Sequence, residues 1–496
     1  TKSKLANTRC YEQRMKKLSI IILFFSLLTI IIFLYLGKTA IVSTTGGTFA
    51  EKIASKIPQK QKEILKNLFF KKEKLKLQIR NQNKQIEELN YISNEKNKII
   101  IDNFNKIYFE RPFELLQERE DYNIFLYQTK FLTNGKNDFA IASGYIDIFD
   151  KKLIIITGDG LLFKADLDEL SDTTTGFDAE IIKTNIKDLI NTPDFFEKSY
   201  FGIKDILIDN NFIFLSFSNE IKKNCFNTGI LKGSINFDFI EFEKYSPSNN
   251  ECAQRGDMDN ALQGGRLVKF NENELLFTHG DWSQGNKAQD KNSIFGKILK
   301  FNFLLNEYEM ISYGHRNPQG LFYLDNENII FETEHGPIGG DEINLIDLNE
   351  NKNRNYGWPI ASYGLGTQEN ASSFSSGTKK YKSHDGYVEP LKYYVPSIGI
   401  SEIVNVPSNF FNEVNNYFDF FVASLGTKVS EGDLSLHHLR IDKKSKEIIF
   451  SDIIEIQERI RDLIYFKETN SLILFIESDR MQKGGPSIAV LKRIKN

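Results

Sequence analysis

The sequence predicts an all-β fold, a six-bladed β-propeller, preceded by an N-terminal transmembrane helix and a helical stalk. Three observations carry this reading: one uninterrupted apolar run near the start, a glycine-free lysine-rich stretch after it, and a strand phrase that recurs through the rest of the chain. The 496 residues are 41% hydrophobic, enough apolar material for a large core, which excludes disorder as a whole-chain description. Lys plus Arg number 63 against 66 Asp plus Glu, so no general charge draws the chain to nucleic acid.

Residues 1–17 form a basic segment in which Lys2, Lys4, Arg9, Arg14, Lys16 and Lys17 outweigh Glu12. Residues 18–37, LSIIILFFSLLTIIIFLYLG, carry no charge. At about 1.5 Å of rise per residue they cover a hydrocarbon core of roughly 30 Å. The positive-inside bias leaves the N-terminus in the cytoplasm and sends the remainder to the periplasmic or extracellular side of a single-pass membrane protein. A cleaved signal peptide is the alternative, but the run exceeds a usual h-region and GKTAIVSTT offers no small-x-small site.

Residues 49–106 contain no glycine and only Pro58, a helical composition. Leu68, Lys72, Leu75, Ile79, Gln82, Ile86 and Leu89 alternate spacings of three and four, the seam of a short coiled coil. This stalk is either a homo-oligomerising element or a solvated spacer helix on its own domain.

Residues 115–496 hold the propeller. A strand, a polar turn and an apolar second strand recur at 139–167, 201–219, 264–281, 317–336, 400–426 and 460–479, with Asn or Asp prominent in the turns. Repeats of about 50 to 65 residues suit a radial array of small sheets, which hides strand edges without helices. A pair of β-sandwiches could use similar strands but would not require the same phrase six times.

Cysteines number three, Cys10, Cys225 and Cys252, too few for a Cys-type zinc site. Cys225 and Cys252 bracket two strand-like runs whose ends a hairpin could join, giving either a disulfide or two buried thiols. All six histidines lie in the C-terminal half without a HExxH pair, which argues against a zinc hydrolase.

Chemistry concentrates in YGHRNPQGL (313–321), ETEHGPIGGDEINLI (332–346) and NYGWPIASYG (355–364). Loops so rich in Gly, Pro and polar side chains build small-molecule sites at the end of a strand array. With GGRL (264–267), AQDKNSIFGKILKF (288–301), PSIGIS (396–401) and RIRD (459–462), these motifs resemble the pyrroloquinoline quinone (PQQ) dependent soluble glucose and aldose dehydrogenases, the glucose/sorbosone dehydrogenase domain. The resemblance runs from about Ser143 to the C-terminus. It implies PQQ at the propeller mouth, held partly through calcium, and hydride transfer from a sugar.

By position in those motifs, Arg459 and Arg461 match a carboxylate-binding pair, Arg316 the arginine that polarises the quinone carbonyl, and Asn317 its hydrogen-bonding neighbour. The carbonyls of Gly336 and Pro337 match calcium ligands. Each assignment has a structural counterpart: Arg316 and Asn317 could tie loops together, and Arg459 and Arg461 could pair with Glu455 and Glu458. Asp341, Glu342 and Asn344 read as loop-locking or ion-binding residues.

Three positions depart from the family. Leu262 stands where a histidine base is expected, Tyr200 near an expected glutamine, and Gly426 where a lysine is expected, with Lys428 nearby. His279, at a strand end, is the candidate for a displaced base. The function implied is therefore an anchored, exported PQQ-type sugar dehydrogenase. The alternative is a catalytically degenerate propeller that binds a carbohydrate or protein at the cell envelope.

Overall fold

The computed structural model describes residues 106–114, 122–129, 143–190, 202–245, 251–254, 262–337, 339–350, 353–364, 380–381, 383–411, 416–477 and 487–493. The segments 1–17 and 18–37, nearly all of 49–106, Cys10 and Tyr200 lie outside these residues. Among the described residues no helix is long and apolar enough to cross a membrane.

Six antiparallel sheets follow one another along the chain, with inner strands Gly144–Phe149, Ile203–Asp209, Gly264–Lys269, Pro318–Leu324, Ile400–Val406 and Arg459–Phe466. These inner strands neighbour one another in a closed ring, so the fold is the six-bladed propeller that the repeat predicts. The ring is closed by an early and a late strand of the propeller. In blade 6 the strand Tyr122–Gln128 pairs antiparallel with Ser487–Arg493, from Tyr122 opposite Arg493 to Gln128 opposite Ser487.

β-Structure begins ahead of position 115, where the sequence reading starts the propeller. Lys106–Phe109 is the outermost strand of blade 1, paired with Phe177–Glu180. Ile107 and Phe109 are buried while Tyr108 points outward. Alternation over four residues is too brief to stand out beside a lysine-rich helical composition.

The second strands read as continuous apolar runs because both of their faces are covered. In Lys152–Thr157, Leu153 and Ile155 join the core between blades 6 and 1, whereas Ile154 and Ile156 join the core between blades 1 and 2. The same division yields one hydrophobic core per blade interface around the ring. Asp150, Asn210, Asn328 and Asn470 turn the chain between first and second strands at φ of 55°, 53°, 55° and 49°. Such left-handed backbone favours Asn and Asp among side-chain-bearing residues. Cys225 and Cys252 form a disulfide, brought together where Cys225–Phe226 pairs with Ala253–Gln254.

One guanidinium gathers the six inner strands at the axis. Arg266 of blade 3 contacts Asp205 Oδ1 at 2.9 Å, Glu402 Oε2 at 2.7 Å and Asp462 Oδ1 at 2.7 Å through Nη1. Its Nε donates to the Gln319 carbonyl at 2.6 Å, its Nη2 donates to the Arg461 carbonyl at 2.9 Å, and its Cζ lies 5.0 Å from the Tyr145 ring centre. The acids in turn accept from backbone amides of adjacent blades, Asp462 from Ile146, Asp205 from Leu267 and Glu402 from Leu321.

This axis makes stability depend on pH. Burial pushes the Asp147 carboxyl up to about 7, and it raises Asp205 and Glu402 against the pull of Arg266. A carboxyl whose folded pKa is raised favours the folded state at low pH and loses that contribution as pH rises through the folded value. Buried His279 and His437, depressed to about 4, act in the opposite sense, but their contribution is essentially complete above about pH 6.5, the ordinary histidine value. Between about pH 6.5 and 7.5 the propeller is therefore expected to lose on the order of 1 kcal/mol in urea unfolding. The loss levels off higher up, where Lys204, lowered to about 7 by burial, sheds its proton. Stability that climbs steadily across that interval would contradict the assignment.

Candidate active site

In a blade of antiparallel strands, the starts of inner strands and the ends of second strands share one face. That face carries Arg316 and Asn317 before the blade 4 inner strand, the His335–Gly340 turn after its second strand, Arg459 and Arg461 on the blade 6 inner strand, and Glu477 ending the next. A shallow cleft, partly open to solvent, lies here between Arg316, His335, Gly336, Pro337, Trp358 and His384, among others.

The expected cationic groups converge. The Arg316 Nη1 donates to the carbonyls of His335 at 3.0 Å and Gly336 at 2.7 Å, and its Cζ sits 5.4 Å from the Trp358 ring centre. Trp358 is fixed in turn by donating Nε1–H to Asp281 Oδ2 at 2.6 Å. Arg459 donates to the Leu425 carbonyl at 2.8 Å and to Glu477 Oε1 at 3.1 Å. Arg461 donates to Glu477 Oε2 at 2.6 Å and to Gln319 Oε1 at 3.1 Å. Gln319 Nε2 donates to Asn317 Oδ1 at 3.0 Å, which also accepts the Gly264 amide at 3.2 Å. Asn317 thus locks the junction of blades 3 and 4 and connects it to the blade 6 arginines.

Glu477, rather than Glu455 or Glu458, is the acid between Arg459 and Arg461. Burial alone would raise its carboxyl, but the two guanidiniums hold it down to about 2. The His335 ring lies on the same face as these arginines. Burial lowers its pKa first, and Arg461, Arg316 and Arg459 lower it further against Asp341, so the imidazole is neutral. Its side chain is 24% exposed, and Nδ1 is 4.0 Å from Asp341 Oδ1, beyond hydrogen-bonding reach.

Other expected residues fall elsewhere. His279 is fully buried: Thr228 N–H donates to its Nε2 at 3.2 Å and its Nδ1 donates to the Gly280 carbonyl at 2.8 Å. Both ring nitrogens are committed, so the ring has no capacity to take a substrate proton at the mouth. Lys428 pairs with Glu431 Oε1 at 3.2 Å with its side chain 64% exposed, and it does not line the cleft. A side chain at Gly426 would collide with the Asp433 carboxylate, which accepts the amides of Thr427 at 2.5 Å and Lys428 at 2.7 Å. The departure at Gly426 is therefore built into this turn. Leu262 is buried.

Asp341 does lock loops: Oδ1 accepts the Gly336 amide at 3.0 Å, and Oδ2 accepts those of Ile398 at 3.1 Å and Ile400 at 3.0 Å. Glu342 pairs with His384 at 3.0 Å, and Asn344 bridges Glu332 and Glu334. Sequence reasoning missed His335, Gln319 and Glu477 as parts of one mouth. The signal for Glu477 was its cross-strand position opposite Arg459, which requires the register.

The family model described as Glucose / Sorbosone dehydrogenase matches residues 177–483. The chain belongs to the glucose/sorbosone dehydrogenase family. It is 28% identical over 231 residues to an aldose sugar dehydrogenase of Escherichia coli K12, covering 43% of this chain and 60% of that one. It is 33% identical over 132 residues to quinoprotein glucose dehydrogenase B of Acinetobacter calcoaceticus, covering 20% of this chain and 27% of the relative. The chain thus spans less than two thirds of the length of these curated relatives. Among solved structures, the apo soluble aldose sugar dehydrogenase from Escherichia coli superposes with a TM-score of 0.54 at 19% identity, over 75% of this chain and 100% of that one. At that identity the likeness concerns the fold. In this chain Asn317 and Arg461 are joined through Gln319 on the face that also carries Arg316 and Arg459.

Proposed function

We propose that this chain is a membrane-anchored, exported sugar dehydrogenase that oxidises an aldose with PQQ as the hydride acceptor. The observation that carries the reading is that Arg316, Arg459 and Arg461 stand on the same face as His335, with Arg316 bonded to the His335 carbonyl. Guanidiniums fixed by neighbouring carbonyls and carboxylates offer donors of the geometry that suits a carboxylate-bearing cofactor. When bound, PQQ supplies an electrophilic carbonyl that takes two electrons and a proton's worth of hydrogen as hydride. Arg316 then offers fixed positive charge where negative charge develops, and Trp358 and Asp281 keep it from swinging away. His335 has a neutral ring and no hydrogen-bond partner among the described residues, so it can accept the sugar hydroxyl proton in place of the absent histidine at 262. The Cys225–Cys252 disulfide supports placement outside the cytoplasm.

Calcium fits this conformation poorly. The Gly336 carbonyl already accepts from Arg316 at 2.7 Å, and a dication on the same oxygen would face the guanidinium. No step is assigned to calcium or to Pro337.

The test is reconstitution of the purified full-length chain in detergent with PQQ, with and without calcium, followed by dye reduction on a panel of aldoses. Turnover that is lost in Arg316→Ala is expected. The absence of both a bound-quinone spectrum and turnover would leave the second reading, a degenerate propeller that binds a carbohydrate or protein. Buried Leu262 and a Lys428 paired with Glu431 favour that reading, and a Leu262→His variant that gained activity would mark a lapsed enzyme.

A further inference from the structure

Directly behind Arg316 lies a buried cluster that the reading above does not use. His315, Glu332 and Glu334 present one ligand atom each within 4.8 Å of one another, all three residues being buried. The β-scaffold dictates this grouping. Glu332 and Glu334 alternate onto one face of the blade 4 second strand, Asn344 stands opposite Glu332 in the register, and His315 reaches in from the junction before the inner strand.

The contacts within the cluster leave it incomplete. Asn344 Nδ2 donates to Glu332 Oε2 at 2.9 Å and to Glu334 Oε1 at 3.1 Å. His315 Nδ1 is 3.3 Å from Glu334 Oε1 and 3.9 Å from Glu332 Oε2, while its Nε2 meets Ser312 Oγ at 2.8 Å. Glu334 Oε2 accepts the Arg316 amide at 2.7 Å. Two atoms of these fully buried side chains, Glu332 Oε1 and Asn344 Oδ1, have no hydrogen-bond partner among the described residues. A buried carboxyl oxygen and a buried amide oxygen without a donor, beside a second carboxyl group and an imidazole, form a donor set that a cation would complete. The guanidinium of Arg316 does not supply it, since its Nη1 serves the His335 and Gly336 carbonyls.

We propose that His315, Glu332 and Glu334, with the Asn344 amide oxygen available by rotation, bind one divalent first-row transition ion such as Zn²⁺ or Mn²⁺. A mixed imidazole and carboxylate set suits such ions, whereas calcium takes oxygen donors alone. Metal–ligand bonds of about 2.0–2.2 Å require donor atoms no more than about 4.4 Å apart, so the side chains need only close in slightly. An ion here would pin the His315–Arg316 step from behind and so act as a structural support for the mouth.

The experiment uses the full-length chain, stripped with chelator and dialysed against Zn²⁺, Mn²⁺ or Ca²⁺ separately, without quinone or sugar. Metal analysis is expected to find one equivalent of Zn²⁺ or Mn²⁺ per chain, with a raised thermal midpoint, and both effects are expected to vanish in Glu332→Gln and Glu332→Leu. Absence of bound ion in the wild type, or its retention in a folded Glu332→Leu protein, overturns the proposal. If both variants fail to fold, Co²⁺ loading of the wild type decides through the d–d absorption of an N/O ligand set, whose absence is equally fatal. Because quinone is left out, the outcome is independent of whether PQQ binds the mouth.

Discussion

Replacing Arg266 with methionine is expected to destabilise the propeller by about 3–5 kcal/mol, and at physiological temperature to leave much of it unfolded. Methionine keeps most of the aliphatic length of the side chain, so lost packing is the smaller effect. The cause is electrostatic. Asp205, Glu402 and Asp462 all lie within 2.9 Å of Arg266 Nη1, buried at the axis, and methionine leaves them with no cation. They respond by taking up protons, so the variant's deficit should shrink as pH falls toward 5, a dependence a packing defect would lack. Arg266→Lys keeps the charge but cannot reach the Gln319 and Arg461 carbonyls together with the acids, and should lie between the two. Urea unfolding followed by fluorescence measures all three proteins. A methionine variant within about 1 kcal/mol of the wild type would mean that the axis is held by the blade interfaces and not by this residue.

The blades were legible in the sequence because each first-strand, turn, second-strand phrase is local. Short apolar strand runs and the Asn or Asp turns between them lie within one phrase of the sequence and need no tertiary information. The outer strands were not legible for the converse reason. Phe239–Ile240 and Lys392–Tyr394 are too short to show a pattern, and Lys106–Phe109 is separated from its partner strand by most of blade 1. The site divides in the same way. Motif order located Arg316, Arg459 and Arg461, but their partners depend on register and ring closure. Arg459 faces Glu477 across a strand pair, not the acids beside it in sequence. His279 pairs across from Gly264, a position that turns its ring into the interface of blades 2 and 3 rather than toward the mouth. Arg266, inside a motif quoted only for its likeness to a family, proved to be the residue that touches every blade.

Replacing His335 with glutamine is expected to lower kcat by about 10²–10⁴ while changing KM little, if the ring takes the sugar proton. Glutamine preserves the backbone carbonyl that receives Arg316 and a polar side chain of similar reach, so the cleft should keep its shape. What it lacks is basicity. In the wild type, burial and three guanidiniums hold the imidazole below its ordinary value, and it is a weak base at neutral pH. Anionic charge placed against Arg316, Arg459 and Arg461 offsets that repulsion and raises the ring's pKa toward neutral pH, where basicity and protonation state are best matched. The acidic limb of the kcat profile should therefore report a higher pKa than the same limb of kcat/KM, which reflects the free protein. Glu477→Gln should move both limbs down, since it removes the carboxylate that compensates Arg459 and Arg461. A His335→Gln enzyme with kcat within threefold of the wild type and an unchanged acidic limb would assign proton transfer to another group. It would leave the guanidiniums as the site's principal contribution to the reaction.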